Sequence, residues 1–98
     1  MRIAQDQRYH GEDWWQWSVW VEAPLSELER VEKVIWRLHP TFPDPVRERR
    51  NRAEKFRLET AGWGTFRVRA EVVMKDGSTE KLQHELELHY PDGTPAQA

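Results

Sequence analysis

The 98-residue sequence contains no cysteine, which excludes a disulfide framework, a thiolate metal site and a thiol nucleophile. A small secreted scaffold is unexpected for the same reason, because such domains lean on disulfides. Long hydrophobic runs are also missing. No stretch reaches membrane-spanning length, and the opening MRIAQDQRYHG lacks the apolar segment of a secretion signal. Nor does charge of one sign accumulate: 15 Lys and Arg stand against 17 Asp and Glu, a net charge of −2. The overall basic signature of nucleic-acid binding is therefore absent, and neither a nucleic-acid nor a membrane partner is expected. The expectation is a soluble, cytoplasmic domain.

Catalytic sets are wanting too. No glycine-rich phosphate cradle leads into a helix, no serine has an activating base, and no histidine pair stands at metal-ligand spacing. The sequence points to no enzyme, no cofactor and no metal. What it does have is tryptophan, six in all, each able to bury on the order of 200 Å². With 38% hydrophobic and 33% charged residues, the chain suits a single globular domain with one modest core.

Alternation dominates the pattern. Residues 2–10 alternate weakly, as an edge strand would. From Trp14 to Glu22, Trp15, Trp17, Val19 and Val21 share one face, and Trp14 and Trp20 fall on the other. LSELER at 25–30 holds helix-friendly types but only enough for one turn, and reads as a connection. The spacing of Leu25, Leu28, Val31 and Ile35 allows a helix. The β-branched and aromatic Val34-Ile35-Trp36 favours a strand from about Arg30 to Leu38. Pro40, Pro43 and Pro45 then forbid regular structure, and the basic run VRERRNR reads as a solvated face or a contact for an acidic partner. Phe56, Leu58 and Thr60 alternate up to Gly62. Phe66 to Met74, a Lys75-Asp76-Gly77-Ser78 turn, and Leu82 to Tyr90 form a hairpin with one buried side, in which His84 reads as a core histidine and His10 and His89 as surface residues. Such strands predict an all-β, immunoglobulin-like β-sandwich of seven to eight antiparallel strands.

Strand direction brings three distant aromatics to one end. If the Trp14 strand runs up, the Arg30 strand runs down and delivers LHPTF to the bottom. The 39–54 excursion then has length enough to climb back, so the next strand delivers Gly62-Trp63-Gly64 to the same place. Trp14, Phe42 and Trp63 converge there. Glycine on both sides of Trp63 permits unusual backbone angles and a close ligand approach; a plainer alternative has Trp63 and Phe42 plug the end of the core. Thr41 offers a hydroxyl that donates and accepts, and His39 can orient it.

VEKVIWRLHPTFPDPV followed by AGWGTF resembles the YEATS domain, an immunoglobulin-fold reader of acylated lysine. The likeness covers about Trp17 to Leu88 and is most specific at Leu38-His39-x-Thr41-Phe42 and Gly62-Trp63-Gly64-x-Phe66. The short, cysteine-free form resembles the prokaryotic branch, with residues 1–90 as one YEATS-like domain and 91–98 as a tail or linker to other modules. The resemblance implies that Phe42 and Trp63 sandwich the acyl group, that Thr41 bonds the acyl amide N–H beside His39, and that main-chain N–H groups around Trp63 and Gly64 meet the acyl carbonyl. Trp14 or Trp15 would supply a further aromatic wall, and Pro40 replaces a polar residue usual in histone readers. The implied partner is an acylated-lysine peptide or protein, acetyl- or crotonyl-like. Two other readings compete. One is a structural or protein-interaction sandwich of a larger effector, using the basic run and a Trp14/Trp20 face; the other is a carbohydrate-binding module. Methyl-lysine reading would need Asp13 or Asp44 beside the rings.

Overall fold

A computed structural model describes residues 1–96. It contains seven strands, β1 (Arg2–Gly11), β2 (Trp14–Glu22), β3 (Val31–Arg37), β4 (Val46–Arg49), β5 (Leu58–Gly62), β6 (Arg67–Met74) and β7 (Thr79–Glu85), with a one-turn helix α1 (Leu25–Leu28) and a 3-10 turn at Arg52–Glu54. The strands form two antiparallel sheets, β1-β2-β5 and β4-β3-β6-β7. This is the expected sandwich. The alternating faces are the reason it forms: Trp15, Trp17, Val19 and Val21 from one sheet meet Val34, Trp36, Val68, Ala70 and Val72 from the other in a single core. Among the described residues no helix is long and apolar enough to cross a membrane.

Two segments depart from expectation. The basic run contains β4, which pairs with β3 from Val34↔Arg49 to Arg37↔Val46. Its side chains are all exposed or half-buried, so backbone pairing holds it and no apolar pattern marks it. Lys55 and Phe56 do not begin the next strand. Both adopt left-handed backbone angles, φ 55° and 60°, and the strand proper starts at Leu58. The turn lets Phe56 bury completely while its carbonyl accepts the Trp36 indole N–H at 2.9 Å.

The β1–β2 turn is tight and costly. Glu12 and Asp13 both sit at φ 55°, a conformation that favours Asn or Gly. Asp13 offsets that cost by accepting the Tyr90 hydroxyl at 2.5 Å and donating its backbone N–H to the Tyr9 hydroxyl at 3.2 Å. The carboxylate holds the Tyr90 hydroxyl pKa above its ordinary value. Residues 91–96 turn back on this corner, with Tyr90 N–H donating to Thr94 and Ala96 N–H to Leu88. The tail expected at 91–98 is described only to residue 96, and 97–98 lie outside the described residues.

Side-chain amides of β1 close one flank. Gln5 Oε1 accepts Glu87 N–H at 2.8 Å and faces His84 Nε2 at 2.6 Å, and its Nε2 donates to the Glu87 carbonyl at 2.6 Å. His84 is thus half-buried and partnered rather than fully in the core. Burial holds its pKa below the ordinary value, against the opposing pull of Glu87 and Glu85. A histidine depressed in the folded state stabilises the fold above its unfolded pKa, and this contribution is lost as pH falls through the folded pKa. Thermal unfolding should therefore show stability falling from about pH 6.5 downward, before the carboxylates titrate. A His84→Gln protein should lack that segment of the profile; an identical slope in both proteins would assign the loss elsewhere.

Candidate functional site

The two sheets bring their loops together as strand direction requires. Trp15 pairs with Gly62 across β2 and β5, so Trp14 and Trp63 leave the sheet as neighbours. β3 ends at Arg37, and the loop to β4 carries His39 to Pro43 to the same end. A cavity of about 410 Å³ opens there, lined by Trp14 from β2, by His39, Thr41, Phe42 and Pro43 from the β3–β4 loop, and by Ala61, Gly62, Trp63, Gly64, Thr65 and Phe66 from the end of β5 and the loop after it. All seven residues expected from sequence line it. Pro43, Ala61, Thr65 and Phe66 are additions; of these Phe66 was legible within the Gly-Trp-Gly motif but was assigned to the core stripe.

The loop aromatics differ in kind. Phe42 is half-buried against Trp17 and Phe66, with ring centroids 6.2 and 5.3 Å apart. Trp63 is 65% exposed, and no aromatic ring pair among the described residues includes it. Phe42 is thus a fixed wall and Trp63 a free one. Trp14, 45% exposed, is the third aromatic. Trp15 is not a candidate, because it is fully buried and donates its indole N–H to the His89 carbonyl at 2.9 Å.

Of the two uses of glycine expected from sequence, close approach is found here and unusual backbone angle is not. Neither Gly62 nor Gly64 has a positive φ. A Cβ on Gly62 would meet the edge of the Phe42 ring at 3.4 Å, so glycine lets that ring lie close over the strand. A Cβ on Gly64 would meet nothing within 4 Å; the backbone there is open to a ligand. Among the described residues no backbone acceptor takes the N–H of Trp63 or Gly64.

Polar groups in the slot are few and directed. His39 Nδ1 lies 2.9 Å from Thr41 Oγ1 and 3.2 Å from the Thr41 backbone nitrogen. With Nδ1 unprotonated, the hydroxyl and the N–H both donate to it, leaving the Thr41 lone pairs free to accept. The lining contains no lysine, arginine or carboxylate. Asp13 is turned to Tyr90, and Asp44 does not line the cavity, so the acidic groups needed for methyl-lysine are not beside the rings. Of the expected Trp14/Trp20 face, only Trp14 is open. Trp20 is half-buried under the Arg57 guanidinium, 4.9 Å from its ring centroid, and bonds Glu22 at 2.9 Å.

Arg47 was not expected to bear on the site. From β4 it donates to the carbonyls of Pro43 at 2.9 Å and Asp44 at 3.1 Å, and the Leu38 N–H donates to Pro45 at 2.7 Å. These bonds tie both ends of the Phe42 loop to strands, an arrangement a basic run does not announce. Beneath the loop, the Trp17 indole N–H is buried without an acceptor. The Trp17 ring meets Phe42 and Phe66 edge-to-face, with centroids 6.2 and 5.7 Å apart, and a Cβ on Gly62 would lie 3.9 Å from its indole nitrogen.

The chain is similar to known proteins in sequence and in fold. The protein AF-9 homolog of Kluyveromyces lactis is 36% identical over 78 residues, covering 74% of this chain and 34% of the relative. That of Saccharomyces cerevisiae is 35% identical over the same length and shares. The chain thus spans about a third of the curated relatives it matches. Among solved structures, the Yaf9 YEATS domain recognising an H3K122suc peptide superposes with a TM-score of 0.67 at 26% identity, covering 89% of this chain and 69% of that one. The Yaf9 domain bound to H3K27ac shares the fold at a TM-score of 0.70 and 23% identity, covering 96% and 73%. The prokaryotic YEATS domain profile matches residues 15–87. The chain belongs to the prokaryotic YEATS domain family.

Proposed function

We propose that this domain is a binding module, not an enzyme, that takes the side chain of an acylated lysine into the slot between Phe42 and Trp63. The observation that carries the reading is an uncharged slot in which Thr41, with free lone pairs, lies beside one fixed and one free aromatic wall. Acylation turns a hydrated ammonium into a flat neutral amide with an apolar tail. Phe42 and Trp63 stack on that amide and tail, with Trp14 closing the mouth. Thr41 Oγ1 accepts the amide N–H, and the free N–H groups of Trp63 and Gly64 meet the acyl carbonyl.

The chemistry also sets the selectivity. A site that meets both polar atoms of the amide penalises ligands that leave them unpaired. Unmodified lysine must shed its hydration with no carboxylate in the lining to receive it, and cation–π attraction of about 0.5–2 kcal/mol offsets only part of that cost. The Yaf9 domains seen with acetylated and succinylated histone peptides support an acyl-lysine partner. The uncharged lining favours neutral acetyl- or crotonyl-type groups over the acidic succinyl group.

Calorimetric titration with acetyl- and crotonyl-lysine peptides tests the reading. Binding should be saturable, absent for the unmodified peptide, and about tenfold weaker in a Thr41→Val protein, the loss of one hydrogen bond of about 1–1.5 kcal/mol. No response up to millimolar peptide would end it.

A further inference from the structure

A second concave surface lies at the far end of the sandwich from the slot. β3 is seven residues long, so its start and end are separated by roughly 20 Å. The slot is built at the end of β3; the second groove is built at its start. Leu25 and Leu28 of α1 and Val31 of β3 form its floor, and Arg50, Arg52, Lys55 and Lys75 stand around it with a single carboxylate, Glu32. Its volume is about 570 Å³. Of the four large apolar side chains exposed among the described residues, Trp14 and Trp63 line the slot, while Leu25, 64% exposed, lies in this groove.

Its charge is unlike that of the chain. Four cations meet one carboxylate on a protein of net charge −2. Two of the cations are partly engaged: Lys55 pairs with Glu22 at 3.2 Å and Arg50 with Glu48 at 2.9 Å. Among the described residues Arg52 and Lys75 have no ion-pair partner. One exposed leucine, Leu25, set over the buried Leu28 and Val31 and ringed by cations, matches a segment that carries both an apolar anchor and carboxylates. A nucleic-acid backbone would use only the cations and would leave the leucines in contact with phosphate and water.

We propose that this groove docks an acidic peptide segment of a partner protein, seating an aliphatic or aromatic side chain on Leu25 and Leu28 and carboxylates on Arg52 and Lys75. The groove is independent of the slot, so one domain can hold an acylated lysine at one end and an acidic segment at the other.

The test uses fluorescein-labelled peptides rich in Asp and Glu, each with leucine, isoleucine, methionine or phenylalanine at its centre. The controls are the same peptides with serine at the centre and a labelled DNA duplex. At least one apolar-centred peptide should raise anisotropy saturably, and its serine counterpart should bind at least about tenfold more weakly. Leu25→Ser and the pair Arg52→Glu with Lys75→Glu should each abolish the response, since these exposed positions carry no core packing, while Trp63→Ala should leave it unchanged. The proposal is overturned if all peptides fail at millimolar concentration, if serine peptides bind equally, if only the duplex binds, or if the charge reversals have no effect. None of these outcomes bears on acyl-lysine binding at the other end.

Discussion

Trp63→Ala is expected to weaken acetyl- and crotonyl-lysine binding by at least about thirtyfold, the ~2 kcal/mol typical of a lost aromatic anchor. Folding stability should stay within about 0.5 kcal/mol of the parent. The two halves of this expectation share one cause. Trp63 is mostly exposed and rests on no other aromatic ring among the described residues, so the fold owes it little, whereas a ligand in the slot would depend on it for one whole wall. Titration and thermal unfolding of the same sample check both. Binding at parental strength would place the second wall elsewhere, on Trp14. Phe42→Ala should behave differently: it removes the opposite wall and also uncovers Trp17 and Phe66, so affinity and stability should fall together.

Trp36→Ala should leave the protein largely unfolded at ambient temperature. The indole is fully buried near the end of β3, and a large aromatic lost from the core costs about 3–5 kcal/mol. Its N–H also satisfies the Phe56 carbonyl, and orphaning a buried carbonyl costs a further ~1–3 kcal/mol. Together these rival the whole of a small domain's stability, about 5–15 kcal/mol. Circular dichroism with urea unfolding reads the result. Trp36→Phe separates the two contributions, since it keeps most of the ring and loses the donor. It should fold with a clearly lowered urea midpoint. A Trp36→Ala protein with a parental midpoint would mean that the core closes without this ring.

The sandwich, the hairpin at Asp76-Gly77 and the meeting of Trp14, Phe42 and Trp63 were legible because alternation and strand direction leave few ways to bury so many aromatics. The illegible parts share a physical reason. β4 is an edge strand of one valine, two arginines and one glutamate, with no apolar face, so its pairing is written only in backbone geometry. The left-handed turns at Glu12-Asp13 and Lys55-Phe56 use residues that do not favour them and are held by distant partners, Tyr90 and Trp36. Arg47 reads as one cation in a basic run, and its grip on the Phe42 loop exists only after β4 has paired. The glycines around Trp63 were correctly placed at the site. Of the two reasons read for them, unusual backbone angles are not used and an open backbone is found at Gly64; the close approach of Phe42 over Gly62 leaves no mark in sequence.

The uneven burial of the tryptophans has an optical consequence. Trp15, Trp17 and Trp36 are enclosed and Trp20 is half-covered, while Trp14 and Trp63 meet solvent at a single place. A collisional quencher such as iodide, too polar to enter the core, will therefore strip emission mainly from the slot and leave a blue-shifted core spectrum behind. The fraction of light that iodide can reach becomes a label-free gauge of slot occupancy, built into the chain without any added dye.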